Sequence, residues 1–123
     1  MAKGVLPKDH PLNFFTFGFN EADKAVSSIQ EADLLIVIGF DFVERLPKEW
    51  NKKRIPVLHI DTLPAEVDEY YPVEIELVGD VKQTLRSLHT LDISAKPWVP
   101  AGNLREQIKQ SYHIKEKNKK RDK

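Results

Sequence analysis

The chain has no cysteine among its 123 residues. Disulfides, thiolate zinc sites and a cysteine nucleophile are excluded, and a reducing compartment is compatible with that usage. It also has no net charge, because 19 Lys and Arg balance 19 Asp and Glu. That balance argues against a protein dedicated to nucleic acid or to a membrane surface, and neither is expected as a partner. No apolar run approaches the ~20 residues that cross a bilayer, and Met1 to Pro7 holds no apolar signal core. Only five glycines occur. No G-x-G-x-x-G and no P-loop is among their contexts, so both common phosphate-cradling loops are missing. Ser27, Ser28 and Ser87 fall in predicted helices, without the glycine-flanked elbow of a nucleophile. The histidines form no H-x-x-x-H or H-E-x-x-H pair. These absences predict a soluble, cytoplasmic chain with no catalytic residue and no metal-ligand set of its own.

What is present is a foldable composition: 41% hydrophobic and 31% charged residues, in a length that suits one domain. Residues 1–19 carry Pro7, Pro11 and two glycines, which predicts a loop-rich entry ending in Phe14, Phe15, Phe17 and Phe19. Those four rings read as packing surface before they read as a ring-stacking ligand site. Asn20 as N-cap, with Ala22, Ala25, Val26, Ile29 and Ala32 at helical spacing, predicts a helix over about 21–31. Leu34 to Gly39 and Pro56 to Asp61 are short apolar runs ending in Gly and Asp. Each predicts a strand buried on both faces of a parallel sheet. Val73, Ile75 and Leu77 alternate with Glu74 and Glu76, which predicts a half-exposed edge strand. Asp80 should cap a short helix whose apolar face is Val81, Leu85 and Leu88. Pro97 and Pro100 mark a linker, Asn103 and Glu106 a capping pair, and KEKNKKRDK at 115–123 a frayed or disordered basic end. The order is helix, strand, long loop, strand, strand, helix: an α/β layer fold with fewer strands than the usual sheet of about 4–6.

His59 lies within a predicted buried strand and reads as a hydrogen-bonded core residue rather than a metal ligand. Asp61, two residues on, falls on the same side of the strand. An acid at the end of a central strand can bind ribose hydroxyls, so Asp61 is the acid kept as a candidate. Its neighbours Glu66, Asp68, Glu69, Glu74 and Glu76 read as solvated. The basic end lacks interleaved aromatics beyond Tyr112 and reads as solubilising.

Four strings, in order, carry a family resemblance. Lys3-Gly4-Val5-Leu6-Pro7-Lys8-Asp9-His10-Pro11-Leu12 resembles the "GKGvlPedHPL" segment of thiamine-diphosphate-dependent enzymes. Glu31 to Gly39 resembles their "eADlvivvG" strand, His59-Ile60-Asp61 with Pro64 to Val67 their "hIDidpaei", and Val78-Gly79-Asp80 their "ivGD". The chain is similar over residues 2–90 to the central domain of these enzymes. Gly39-Phe40-Asp41-Phe42-Val43-Glu44 and Trp50 are most like the catabolic acetolactate synthase large subunit. The resemblance implies a Rossmann-like three-layer α/β domain with a mostly parallel sheet, here lacking its first strands. Residues 1–92 would be that partial domain, and 93–123 a linker, short helix and basic tail. The implied parent uses thiamine diphosphate and Mg2+, with a catalytic glutamate and a diphosphate motif carried on other domains. This segment would be structural within it and inactive alone, a fragment. Missing strands would leave an open sheet edge that a second copy can close, so a homo-oligomer, a dimer, is expected.

The resemblance also marks nucleotide-contacting positions: Gly18, Gly39, Asp41 and Asp61. Members that bind FAD carry arginine where Asp41 stands, and glycines where Phe15 and Glu21 stand. Bulk and charge there oppose close backbone approach. The departures count against FAD, while Gly39 and Asp61 leave open an independent module that holds an adenine nucleotide.

Overall fold

The apolar run at 34–39 forms β1 (Leu35–Ile38) of a parallel sheet in the computed structural model, which describes residues 4–16, 24–94 and 103–121. The chain falls into two compact units, residues 32–98 and residues 1–31 with 99–123.

In the first unit β1, β2 (Val57–Asp61) and β3 (Val73–Val78) form an open parallel sheet in the order β1-β2-β3. This is an open α/β sheet, as the alternation of apolar runs and helical segments predicts. Leu35 N donates to Pro56 O (2.9 Å) and Gly39 N to Ile60 O (3.0 Å), so the two runs pair along their whole length. The second ladder is bulged: Val57 lies beside Val73, and Leu58 beside Ile75, leaving Glu74 as the extra residue. Beyond the bulge His59 is beside Glu76 and Ile60 beside Leu77. β3 is at an edge, as its alternating acids predict.

Only β2 is buried on both faces: Val57 and Ile60 are fully buried and His59 nearly so. The same expectation for β1 fails. Ile36 is 61% exposed and Ile38 46%, because β1 is an outer strand and, among the described residues, nothing packs over its Ile36–Ile38 side. The loop expected between β1 and β2 contains a helical turn, α2 (Pro47–Trp50), which starts on proline and buries Pro47 and Trp50. α3 (Val81–His89) follows as predicted: Asp80 accepts from Gln83 N at 2.8 Å and closes the N-terminus. Its apolar residues Val81, Leu85 and Leu88 reach only partial cover, and the helix touches β2.

In the second unit α1 (Lys24–Ile29) packs against α4 (Leu104–Arg121), with Val26 and Ile108 buried. Asn20 and Gly18 lie outside the described residues. The basic end is helical through Arg121 rather than frayed; it continues a helix begun by the Leu104–Ile108 face, and adding residues to an existing helix is far easier than nucleating one. Asn103 bonds the Gln107 side chain (2.7 Å) instead of forming the expected box with Glu106. Entry residues 6–15 fold on themselves: the Asn13 amide donates to Leu6 O and Pro7 O, both at 3.1 Å, and its Oδ1 accepts Phe15 N at 2.8 Å.

Candidate functional site

Parallel strands bring their carboxyl ends to one rim, the usual ligand side of an open α/β sheet. Here the rim consists of Gly39 after β1, Asp61 closing β2 and Gly79-Asp80 after β3. Gly39 takes φ +60, which turns the chain sharply out of β1 and favours glycine. A Cβ built there meets nothing within 4 Å, so it is the turn, not a tight packing contact, that needs glycine. Asp41 is exposed and caps its own turn, with Oδ1 accepting Val43 N at 2.9 Å. Asp61 Oδ1 accepts Thr62 N (2.6 Å) and Thr62 Oγ1 (3.2 Å), and its carbonyl accepts Gly79 N at 2.9 Å. The strands thus bring Gly39 and Asp61 to neighbouring ends, with Asp41 in the turn beyond. The fourth candidate, Gly18, is outside the described residues.

The rim is acidic. Asp41, Asp61 and Asp80 carry carboxylates there, and residues 61–80 contain no Lys or Arg. Carboxylates can accept ribose hydroxyls but repel a diphosphate. A cavity of about 500 Å³ beside β3 is acidic as well, lined by Glu66, Asp68, Glu74 and Glu76 with Tyr71. Among the described residues no group of three or more His, Cys, Asp or Glu is placed to hold a metal ion. The side chains present do not fit a magnesium diphosphate.

Behind the rim lies a cluster that the sequence did not reveal. Phe40, Phe42, Trp50 and Tyr71 interlock, with Phe42 and Tyr71 centroids 4.9 Å apart and Phe40 and Trp50 5.3 Å apart, both edge-on. His59 closes it. Its Nε2 lies 3.0 Å from Leu63 O, which can only accept, so Nε2 carries the proton. Nδ1 then accepts from the Tyr71 hydroxyl, also at 3.0 Å. His59 is therefore a satisfied core residue, as its place in a buried strand predicts. Burial pushes the Tyr71 hydroxyl up from 10.0 to about 12, and the Asp61 carboxylate adds to the rise. Asp61 thus lies on the His59–Tyr71 side of the sheet.

Two supporting residues were also missed. Asn51 is fully buried; its amide donates to Ile55 O (3.0 Å) and Tyr70 O (2.9 Å), and its Oδ1 accepts Ile55 N (2.9 Å). An Asn between an aromatic and two lysines reads as loop, and nothing local marks it as buried. In the other unit Arg105 donates to Lys8 O (2.9 Å) and Asn13 O (3.1 Å), with its guanidinium 5.1 Å from the Phe15 ring centre. Those partners lie some 90 residues away, beyond any spacing rule.

A sequence model of the thiamine pyrophosphate enzyme central domain matches residues 1–88. The chain belongs to this family. Among curated relatives of this central domain, a probable acetolactate synthase large subunit of Methanocaldococcus jannaschii is 36% identical over 90 residues, covering 72% of the chain and 15% of the relative. The Corynebacterium glutamicum acetolactate synthase large subunit is 33% identical over 90 residues, with 72% and 14% covered. A catabolic acetolactate synthase of Raoultella terrigena is 45% identical over 60 residues, with 49% and 11% covered. The chain spans about a seventh of the length of the large subunits it matches at 90 residues. No helix among the described residues is long and apolar enough to cross a membrane.

Proposed function

We propose that this chain is a segment of an acetolactate-synthase-like thiamine-diphosphate enzyme, a transferase whose whole protein condenses two pyruvates to acetolactate with release of CO2. Its role there is structural. Residues 1–92 form part of the domain that spaces the two cofactor-binding domains, and 93–123 supply a linker and a helix with a basic end, the helix packing on α1. The supporting observation is the match to the central domain over residues 1–88. Thiamine diphosphate and Mg2+ belong to the parent's other domains, and those domains are its partners. The work of this chain's own residues is to hold the sheet: Asn51 ties the loop to Tyr70, and Tyr71 with His59 fills the covered face.

A second reading follows from Gly39 and Asp61 at adjacent strand ends. A stand-alone module would place an adenine nucleotide there, its ribose on Asp61, or would serve to join copies into a homo-oligomer. Thermal unfolding of the full chain separates the readings. We expect no shift with thiamine diphosphate and Mg2+, with FAD or with ADP, and no acetolactate formed from pyruvate. A shift with ADP that is lost in Asp61→Ala would favour the module. Turnover of pyruvate would overturn the structural role.

A further inference from the structure

We infer that His59, Tyr71 and Asp61 form a proton switch that carries the charge state of a buried imidazole to the strand rim. Residues 62–72 join β2 to β3 without a helix or strand of their own. Neutral His59 holds both ends of that strap. Its Nε2–H donates to Leu63 O and its Nδ1 accepts the Tyr71 hydroxyl, both at 3.0 Å. His59 is 3% exposed and Tyr71 2%. A second proton must go onto Nδ1, where it meets the hydroxyl hydrogen, because an imidazolium has only donors. The hydroxyl oxygen keeps lone pairs and can accept instead. Its own hydrogen then needs a new acceptor, since a buried donor left unmade is costly.

Asp61 is that acceptor. It stands two residues beyond His59 in β2, on the same side of the sheet. Its Oδ1 is taken by Thr62, while Oδ2 has no hydrogen-bond partner among the described residues. Its charge also reaches the Tyr71 hydroxyl. Glu76, beside His59 in β3, is committed to Ala65 N. The strap adds Glu66 and Asp68, and β3 adds Glu74, all around the cavity at Tyr71. β1 sets uncharged Val37 beside His59, the rings of Phe40, Phe42 and Trp50 carry no charge, and Arg45 pairs with Glu49 at 3.0 Å. A proton on His59 thus enters surroundings of negative charge, which offset part of the cost of burying an imidazolium. No covalent bond breaks beyond the proton's arrival at Nδ1. The Tyr71 hydrogen stays on its oxygen and turns, and the donors run from His59 to Tyr71 to Asp61. The open Asp61 oxygen at the rim is then occupied.

Carbon and nitrogen NMR of the full chain, titrated through about pH 8 to 5 where histidine changes charge, tests the switch. At the upper end His59 should be the single Nε2–H tautomer. As its ring takes the second proton, the Tyr71 carbon that bears the hydroxyl and the Asp61 carboxyl carbon should shift at the same midpoint. His59→Gln should remove both steps. Tyr71→Phe should remove the step at Asp61, because no hydroxyl then links the two. Asp61→Ala, at the half-exposed rim, should move the midpoint shared by His59 and Tyr71 to lower pH, since acceptor and counter-charge are gone. A step at Asp61 that survives in Tyr71→Phe would reduce the effect to charge acting through space and overturn the switch. So would an unchanged midpoint in Asp61→Ala, or a His59 ring that takes no second proton before the chain unfolds.

Discussion

Replacing Asn51 with alanine should cost the sheet unit about 3 kcal/mol or more, the largest effect of any polar substitution in it. The substitution removes three hydrogen bonds at once. It strands Ile55 N and Ile55 O away from water and leaves the half-buried Tyr70 O without this donor. Each unsatisfied buried group costs roughly 1–3 kcal/mol, and a domain has only about 5–15 kcal/mol in total. Asn51 also joins two segments that no helix or strand connects: the turn after α2 and the loop before β3. Arg54 reaches φ +54 inside that turn, its N–H donating to Asn51 O at 3.0 Å. Urea unfolding followed by tryptophan fluorescence would measure the loss. Asp41→Ala, which removes one exposed turn bond, should change the midpoint by only a few tenths of a kcal/mol. An Asn51→Ala loss no larger than that would show that the buried amide does not hold these loops.

Tyr71→Phe is the second large change, and its signature is pH dependence. In the folded chain the hydroxyl titrates at about 12 rather than 10.0. The folded state therefore holds its proton where the unfolded chain has lost it. Stability from this group is fully present below pH 10 and disappears as pH rises to 12, a change of about 2–3 kcal/mol from two pH units. Phenylalanine abolishes that alkaline component. It also leaves His59 Nδ1 without its donor, costing roughly 1–3 kcal/mol at neutral pH. Stability measured from pH 8 to pH 12 should fall more steeply in the parent chain than in Tyr71→Phe. Equal slopes would place the Tyr71 hydroxyl in water.

The elements that depend on local pattern were legible in the sequence. Two apolar runs ending in Gly39 and Asp61, an alternating strand and an Asp80 cap led to three strands and α3, because period, length and capping are properties of neighbouring residues. Burial was less legible. The run in β1 has the same composition as that in β2, yet its Ile36 side is exposed, since burial depends on what lies alongside a strand. α2 was hidden because four residues carry no period. The rim candidates were readable where a turn required glycine or a strand ended in acid. The Tyr71–His59 pair and the Asn51 bridge join residues 12 and 19 apart across loops, and composition carries no record of such contacts.

The central claim is that this chain is a segment of a larger enzyme, and the coding DNA on either side tests it most directly. The account predicts in-frame flanks. Upstream they should encode the rest of the sheet and a domain bearing the catalytic glutamate, and downstream a domain bearing the diphosphate motif. Stop codons and unrelated genes on both sides would contradict it, and would make the chain a module with a role of its own.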